Sequence, residues 1–435
     1  MDRILVRGGR RLEGRVRISG SKNAALPIMA AAIACEEPVT IRDVPDLLDI
    51  DGMEHLLCSM GVGVDRRPGE MIIDPRTLRW PEAPYDLVRK MRASFFVLGP
   101  LIARSRRARV SLPGGCAIGS RPVDIHIKAL EALNIGIQVE HGYVEATAEG
   151  KDQLVGQRVT LGFPSVGATE NLLVAASVAK GTTIIHNAAC EPEVRDLADF
   201  LVAMGANIEG IGSSRMVVEG VERLKGGEYT IIPDRIEAGT YLVAAAVTGG
   251  EVTLENACPA YMTSTLEKLT DAGAQVKVNG SEITIKGLDR PEAVGEISTL
   301  PYPGFPTDMQ AQMMAMMTVA NGTTVVRETI FENRFMHISE LSRLGANISL
   351  DGSTAVVRGV DHLSGSPVMA SDLRASAALV IAGLVAEGET EVLRVYHIDR
   401  GYEKIEEKLA ALGADIERAS QGGSEFRSSQ PSPRA

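Results

Sequence analysis

The chain has 435 residues, of which 45% are hydrophobic and only 4% aromatic, and it carries a net charge of −11. That length exceeds one small core and predicts two domains with aliphatic, alanine-rich interiors. The acidity excludes a general nucleic-acid binder, which needs a basic face against phosphate, but a locally positive pocket for an anionic substrate remains open.

The N-terminal run Met1 to Arg7 has no apolar signal region, and no apolar stretch reaches membrane-spanning length, so a cytoplasmic protein without membrane contact is expected. Five cysteines without tight spacing and seven scattered histidines give neither a disulfide framework nor a metal-ligand pattern. No metal and no cofactor is expected.

Along the chain, one pattern recurs. A helix of small and apolar residues starts near Asn23, Ala93, Gly167, Ala238, Asp308 and Ala375, at intervals of 67 to 74 residues. A second helix in each unit ends on Gly61, Asn134, Gly205, Gly273, Gly345 or Gly413 and opens a hairpin. Glycine and asparagine stop helices there because they tolerate the left-handed conformation. The spacing predicts six helix–strand–helix–hairpin units, three per domain.

The last unit lacks one hairpin strand, and Ile4-Leu5-Val6-Arg7-Gly8 has the missing pattern. Both chain ends therefore fall in one domain. The expected division is residues 22–232 for one lobe and 1–21 with 233–419 for the other. Residues 420–435, rich in Ser, Gly, Pro and Gln, read as a disordered tail.

The first residues of these helices include Lys22-Asn23, Arg92, Ser165-Val166-Gly167, Arg235, Thr307-Asp308 and Asp372-Leu373-Arg374. Helix N-termini attract anions through free N–H groups and the helix dipole. If symmetry gathers them, the gap between the domains becomes an anion site deepened by Lys22, Arg92 and Arg374. Arg235 fits less well, because Asp234 and Glu237 stand ready as structural partners.

Two loops add chemistry. Pro113-Gly114-Gly115-Cys116-Ala117-Ile118-Gly119-Ser120-Arg121-Pro122 is too glycine-rich for a packed element, and Arg121 would stabilise a Cys116 thiolate. Cys35, Cys58, Cys190 and Cys258 read as small core residues. In Pro303-Gly304-Phe305-Pro306-Thr307-Asp308, the carboxylate is either an N-cap or a general base whose basicity neighbouring negative charge would raise.

Further segments make the pattern specific: Ser19 to Pro27, Met91-Arg92-Ala93-Ser94, Leu112 to Asp124, Ser165 to Thr169, Phe305 to Gln312, Phe331-Glu332-Asn333-Arg334-Phe335, Asp372 to Ser376 and His397 to Tyr402. On these, from Met1 to about Arg418, the chain resembles the UDP-N-acetylglucosamine 1-carboxyvinyltransferase family. The resemblance implies a two-domain inside-out α/β barrel, EPSP synthase-like, built from six βαβαββ repeats. It implies transfer of the enolpyruvyl group of phosphoenolpyruvate to the 3-hydroxyl of UDP-N-acetylglucosamine, with release of phosphate, in peptidoglycan synthesis.

By the same resemblance, Lys22, Arg121 and Arg400 match phosphoenolpyruvate-binding positions, and Arg374 a cleft residue. Asn23, Arg92, Arg121, Pro122, Val123, Asp124, Ile125, Ser165, Val166, Gly167, Asp308 and Ile330 match UDP-sugar contacts; Arg334 and Asp372 lie in matching site segments. Cys116 matches the loop cysteine credited with proton transfer and with capture of fosfomycin, and Asp308 the proposed base. Some members carry a lysine near the UDP phosphates where Phe163 stands here. The rivals are an EPSP synthase acting on shikimate 3-phosphate, which uses no such loop cysteine, and a non-catalytic UDP-sugar-binding paralogue.

Overall fold

A computed structural model of the chain describes residues 2–89, 91–113, 123–148 and 154–420. Six four-stranded sheets share one plan: an edge strand runs parallel to its neighbour, and a hairpin continues antiparallel on the other side. In one sheet Glu82–Ala83 is parallel to Arg107–Ser111, which pairs antiparallel with Tyr143–Thr147 and through it with Gly136–Glu140. Strand burial alternates, as in Thr182–His186, where Thr183 and Ile185 are buried and Thr182 is exposed. Alternation of this kind marks a sheet with one face in solvent.

The helices are the inner layer. Every residue from Ile236 to Val247 in the Arg235–Val247 helix is buried, as is every residue from Arg374 to Leu384 in the Leu373–Val385 helix. A helix buried all round belongs in a core, and alanine and glycine let these helices approach closely. Between Leu98–Ser105 and Val166–Ala176, a Cβ on Gly99 would lie 2.3 Å from the Asn171 carbonyl oxygen. No aliphatic side chain fits there. The result is an α/β barrel turned inside out, with helices within and sheets outside.

Two hydrophobic cores form. One gathers residues from Ala25 to Ile231, the other Ile4 to Ile18 with Ile236 to Ile416. At the crossing between them, Gly20 and Pro233 form a bridge. The N-terminal strand Asp2–Arg7 pairs with Glu389–Leu393 on one side and Asp415–Ser420 on the other, completing the last repeat. Ser420 thus ends a strand rather than opening a tail, and residues 421–435 lie outside the described residues.

The helix stops adopt the expected conformation at all six positions, with φ between 66° and 102° for Asn134, Gly61, Gly205, Gly273, Gly345 and Gly413. Two helix starts differ from expectation. Arg92–Val97 and Thr307–Met309 are 3-10 turns that precede the α-helices Leu98–Ser105 and Gln310–Met317. Among the described residues no helix is long and apolar enough to cross a membrane.

Candidate active site

Ser21 caps the Lys22–Ala31 helix by accepting from the Ala24 amide, which sets Lys22 at the helix entrance with 8% exposure. Its Nζ lies 3.1 Å from Asp49 Oδ2, and Arg400 Nε donates to Asp49 Oδ1 at 2.8 Å. Asp49 comes from the first turn of the Leu48–Ser59 helix, and Arg400 ends the turn Val395–Arg400 of the other core. Burial opposes the Asp49 charge, but Lys22 and Arg400 outweigh it and hold the carboxyl below its ordinary range. Burial, Arg374 and Arg400 lower Lys22, with Asp49 opposing. Lys22 therefore sits in the field of two guanidinium groups.

Beside it, Asn23 Nδ2 reaches Asp308 Oδ2 at 3.4 Å. Asp308 also accepts from Arg334 Nη2 at 2.6 Å and Arg374 Nη2 at 2.9 Å. Asp308 lies inside the turn Thr307–Met309, whose N-cap position is Pro306, and its carboxylate caps neither that turn nor the following helix, so the N-cap alternative falls. The expected rise in basicity falls as well. Burial would raise Asp308, but Arg374 and Arg334 overcome it and hold the carboxyl well below the usual range. Cations, rather than the anticipated negative charge, surround it.

Arg374 is 2% exposed, and its Nε and Nη1 have no hydrogen-bond partner among the described residues. Buried N–H groups are nearly always satisfied. A guanidinium with two open donors beside Lys22 and Arg400 is suited to an anion.

At another helix entrance, Ser165 caps Val166–Ala176 through the Ala168 amide. Gly167 is confined: a Cβ there would lie 2.9 Å from both His126 and Phe96 ring carbons. Asn171 Nδ2 is 3.1 Å from His126 Nδ1, and burial with the Arg92 charge pushes that imidazole down to about 4. Val123 and Ile125 are half-buried, whereas Asp124 is more exposed and pairs with Lys128 at 3.7 Å. Phe163 is exposed.

Asp372 caps the Leu373–Val385 helix, accepting from the Arg374 and Ala375 amides. The Ile330 amide donates to Glu328 at 2.8 Å. Cys116, Arg121 and Pro122 lie outside the described residues.

Other expectations need correction. Arg235 pairs with neither Asp234 nor Glu237: its Nε and Nη2 meet Glu193 at 3.0 and 3.2 Å, while Asp234 caps the helix. Cys58 is exposed, and Cys190 and Cys258 are half-buried; only Cys35 fits the core reading, its thiol pushed up to about 12 by burial. Sequence reasoning missed Asp49, His126, Glu193 and Glu328. An acid in a first helical turn, such as Asp49, is too common to single out.

The residues thus brought together are Lys22, Asn23, Asp308, Arg334, Arg374 and Arg400, with Asp49 between two of them. Such a cluster of cations is suited to anionic groups and favours the ionised form of the Asp308 carboxyl.

Residues 6–409 match the family model of EPSP synthase (3-phosphoshikimate 1-carboxyvinyltransferase). The chain is 55% identical over 418 residues to the UDP-N-acetylglucosamine 1-carboxyvinyltransferase of Desulfosudis oleivorans, covering 96% of this chain and 99% of that one. It is 54% identical over 407 residues to UDP-N-acetylglucosamine 1-carboxyvinyltransferase 1 of Caldanaerobacter subterraneus subsp. tengcongensis, covering 94% and 97%. The enolpyruvyl transferase NikO from Streptomyces tendae superposes with a TM-score of 0.85 at 26% identity, over 96% of this chain and 98% of that one. EPSP synthase from Acinetobacter baumannii, at 19% identity, shares the fold with a TM-score of 0.73 over 97% and 100%. With relatives this close over nearly its whole length, the chain belongs to the EPSP synthase family and, within it, to the UDP-N-acetylglucosamine 1-carboxyvinyltransferases.

Proposed function

We propose that this enzyme transfers the enolpyruvyl group of phosphoenolpyruvate to the 3-hydroxyl of UDP-N-acetylglucosamine, releasing phosphate, in the cytoplasm. The observation that carries this reading is the cationic cluster in which Lys22 and Arg400 flank Asp49 while Arg374 and Arg334 hold Asp308, in a chain with full-length relatives of that name.

Phosphoenolpyruvate brings a carboxylate and a phosphate. Lys22, Arg400 and Arg374 hold them, with Arg121 from the cysteine loop. Asn23, Asp308, Arg92, Val123 to Ile125, Ser165 to Gly167 and Ile330 hold the UDP-sugar. Asp308 takes the proton of the 3-hydroxyl as that oxygen bonds to C2 of phosphoenolpyruvate, and Cys116 supplies a proton to the methylene carbon. The tetrahedral ketal then loses a proton from that carbon and phosphate from C2, restoring the double bond.

Burial would raise the Asp308 carboxyl, but Arg374 and Arg334 hold it well below its usual range. When Arg374 turns its Nε and Nη1 donors to phosphoenolpyruvate, one of these two grips on Asp308 weakens.

The lobes are assigned to residues 22–232 and to 1–21 with 233–419, a division supported by the two separate cores and the Gly20–Pro233 bridge. Incubation with both substrates and mass spectrometry of the nucleotide tests the reading. UDP-N-acetylglucosamine should gain the mass of one enolpyruvyl group. An unchanged nucleotide alongside modified shikimate 3-phosphate would establish the EPSP synthase reading instead, and no product from either acceptor would favour the non-catalytic one.

A further inference from the structure

Glu328 is 3% exposed and lies outside every motif that points to the site. Its Oε1 accepts from Thr299 Oγ1 at 2.8 Å and from the Ile330 and Phe331 amides at 2.8 and 3.1 Å. Its Oε2 accepts from Thr307 Oγ1 at 2.8 Å. One carboxylate thus ties the segment before Asp308 to the segment carrying Ile330 and Arg334.

The direction of these bonds matters. A carboxylate only accepts, so the Thr307 hydroxyl must give its proton to Glu328. Its oxygen lone pairs are then free for Arg334, whose Nη1 donates to Thr307 Oγ1 at 2.9 Å. Arg334 Nη2 in turn donates to Asp308 Oδ1 at 2.6 Å. We infer that Glu328 is a positioning residue for the transfer reaction, acting through Thr307 and Arg334 to fix the orientation of the Asp308 carboxylate. This rests on the function proposed above and extends it to a residue that touches no substrate.

Substitution by glutamine separates the relay from a mere clasp. The amide keeps the shape, and its oxygen can serve Thr299 and the two backbone amides. Its NH2 group then faces Thr307, leaving the hydroxyl proton without an acceptor and setting a second donor against Arg334. Thr307→Val removes the same link without touching Glu328, and Thr307→Ser retains it.

Glu328→Gln, Thr307→Val and their double variant are compared with wild type in the full chain for kcat, both KM values and thermal midpoint. Each single variant should lose roughly 10- to 100-fold in kcat with KM changes within about threefold. Thr307→Ser should stay within about threefold of wild type, and the double variant should be no worse than about twofold below the poorer single, since linked residues are non-additive. Losses that multiply in the double variant, or a Thr307→Val enzyme at wild-type kcat, would overturn the relay.

Wild-type turnover judges the proposed function; the ratio of variant to wild type judges the relay. A carbon NMR titration of the Asp308 carboxyl in ligand-free protein decides the relay even if wild type fails to turn over. Arg374, Arg334 and Arg235 are charged groups acting on that carboxyl. Its midpoint should rise in Glu328→Gln as Arg334 loosens, and an unmoved midpoint would refute the inference.

Discussion

Arg374 holds Asp308 at 2.9 Å with one nitrogen while its other two, buried from solvent, meet no partner among the described residues. The same guanidinium thus ion-pairs with Asp308 and keeps two further N–H donors to offer. Asp308→Asn should retain UDP-N-acetylglucosamine binding within about threefold but lose about 10²–10⁴-fold in kcat, as expected on removing a general base. Isothermal titration with the nucleotide beside steady-state kinetics checks the split.

Asp49 joins Lys22 to Arg400, and its substitution by asparagine leaves two cations facing each other. Breaking a buried pair in this way costs about 3 kcal/mol. Because the Asp49 carboxyl is depressed in the fold, its stabilisation is present above the unfolded value of 3.8 and fades as pH falls through the lower, folded value. Thermal melts should therefore show Asp49→Asn well below wild type at neutral pH, with the gap closing below pH 3.8.

Glu170 gives the opposite sign. It is 2% exposed, neither carboxyl oxygen has a hydrogen-bond partner among the described residues, and burial with Glu193 and Glu191 nearby raises it well above 4.5. A raised group contributes stability that is present below 4.5 and lost as pH rises through its folded value. Glu170→Gln, neutral at every pH, should melt above wild type in alkaline buffer and lose that advantage in acid.

Gly167 offers a steric test. A methyl group there meets His126 and Phe96, so Gly167→Ala should cost about 1–3 kcal/mol in denaturant unfolding. Nucleotide affinity should fall with it, because the same ring must move from the Ser165–Gly167 helix entrance.

Much of the fold was written locally. Helix stops at Gly61, Asn134, Gly205, Gly273, Gly345 and Gly413 announce themselves because a left-handed residue has few identities to choose from. The strand Asp2–Arg7 was legible for a similar reason: one hairpin lacked a partner, and only the N-terminus had its alternation. Lys22 and Arg374 stood out by their repeated place at helix entrances, whereas the roles expected of Asn23 and Asp308 came from the family resemblance.

The partners of those residues were not legible. Asp49, Glu193 and Glu328 are acids in ordinary helical or loop contexts, and their roles arise only when chain segments far apart meet. The surroundings expected of Asp308 differ from the structure for that reason. Its motif shows the carboxylate but not the two guanidinium groups that arrive from residues 334 and 374. Arg235 likewise looked satisfied by near neighbours, yet its neighbour Asp234 is consumed in capping the helix.

The most direct measurement is phosphate release from phosphoenolpyruvate with each acceptor supplied in turn. Release should require UDP-N-acetylglucosamine and stay at background with shikimate 3-phosphate or with no acceptor. Equal release with shikimate 3-phosphate, or none with the UDP-sugar, would contradict the assignment.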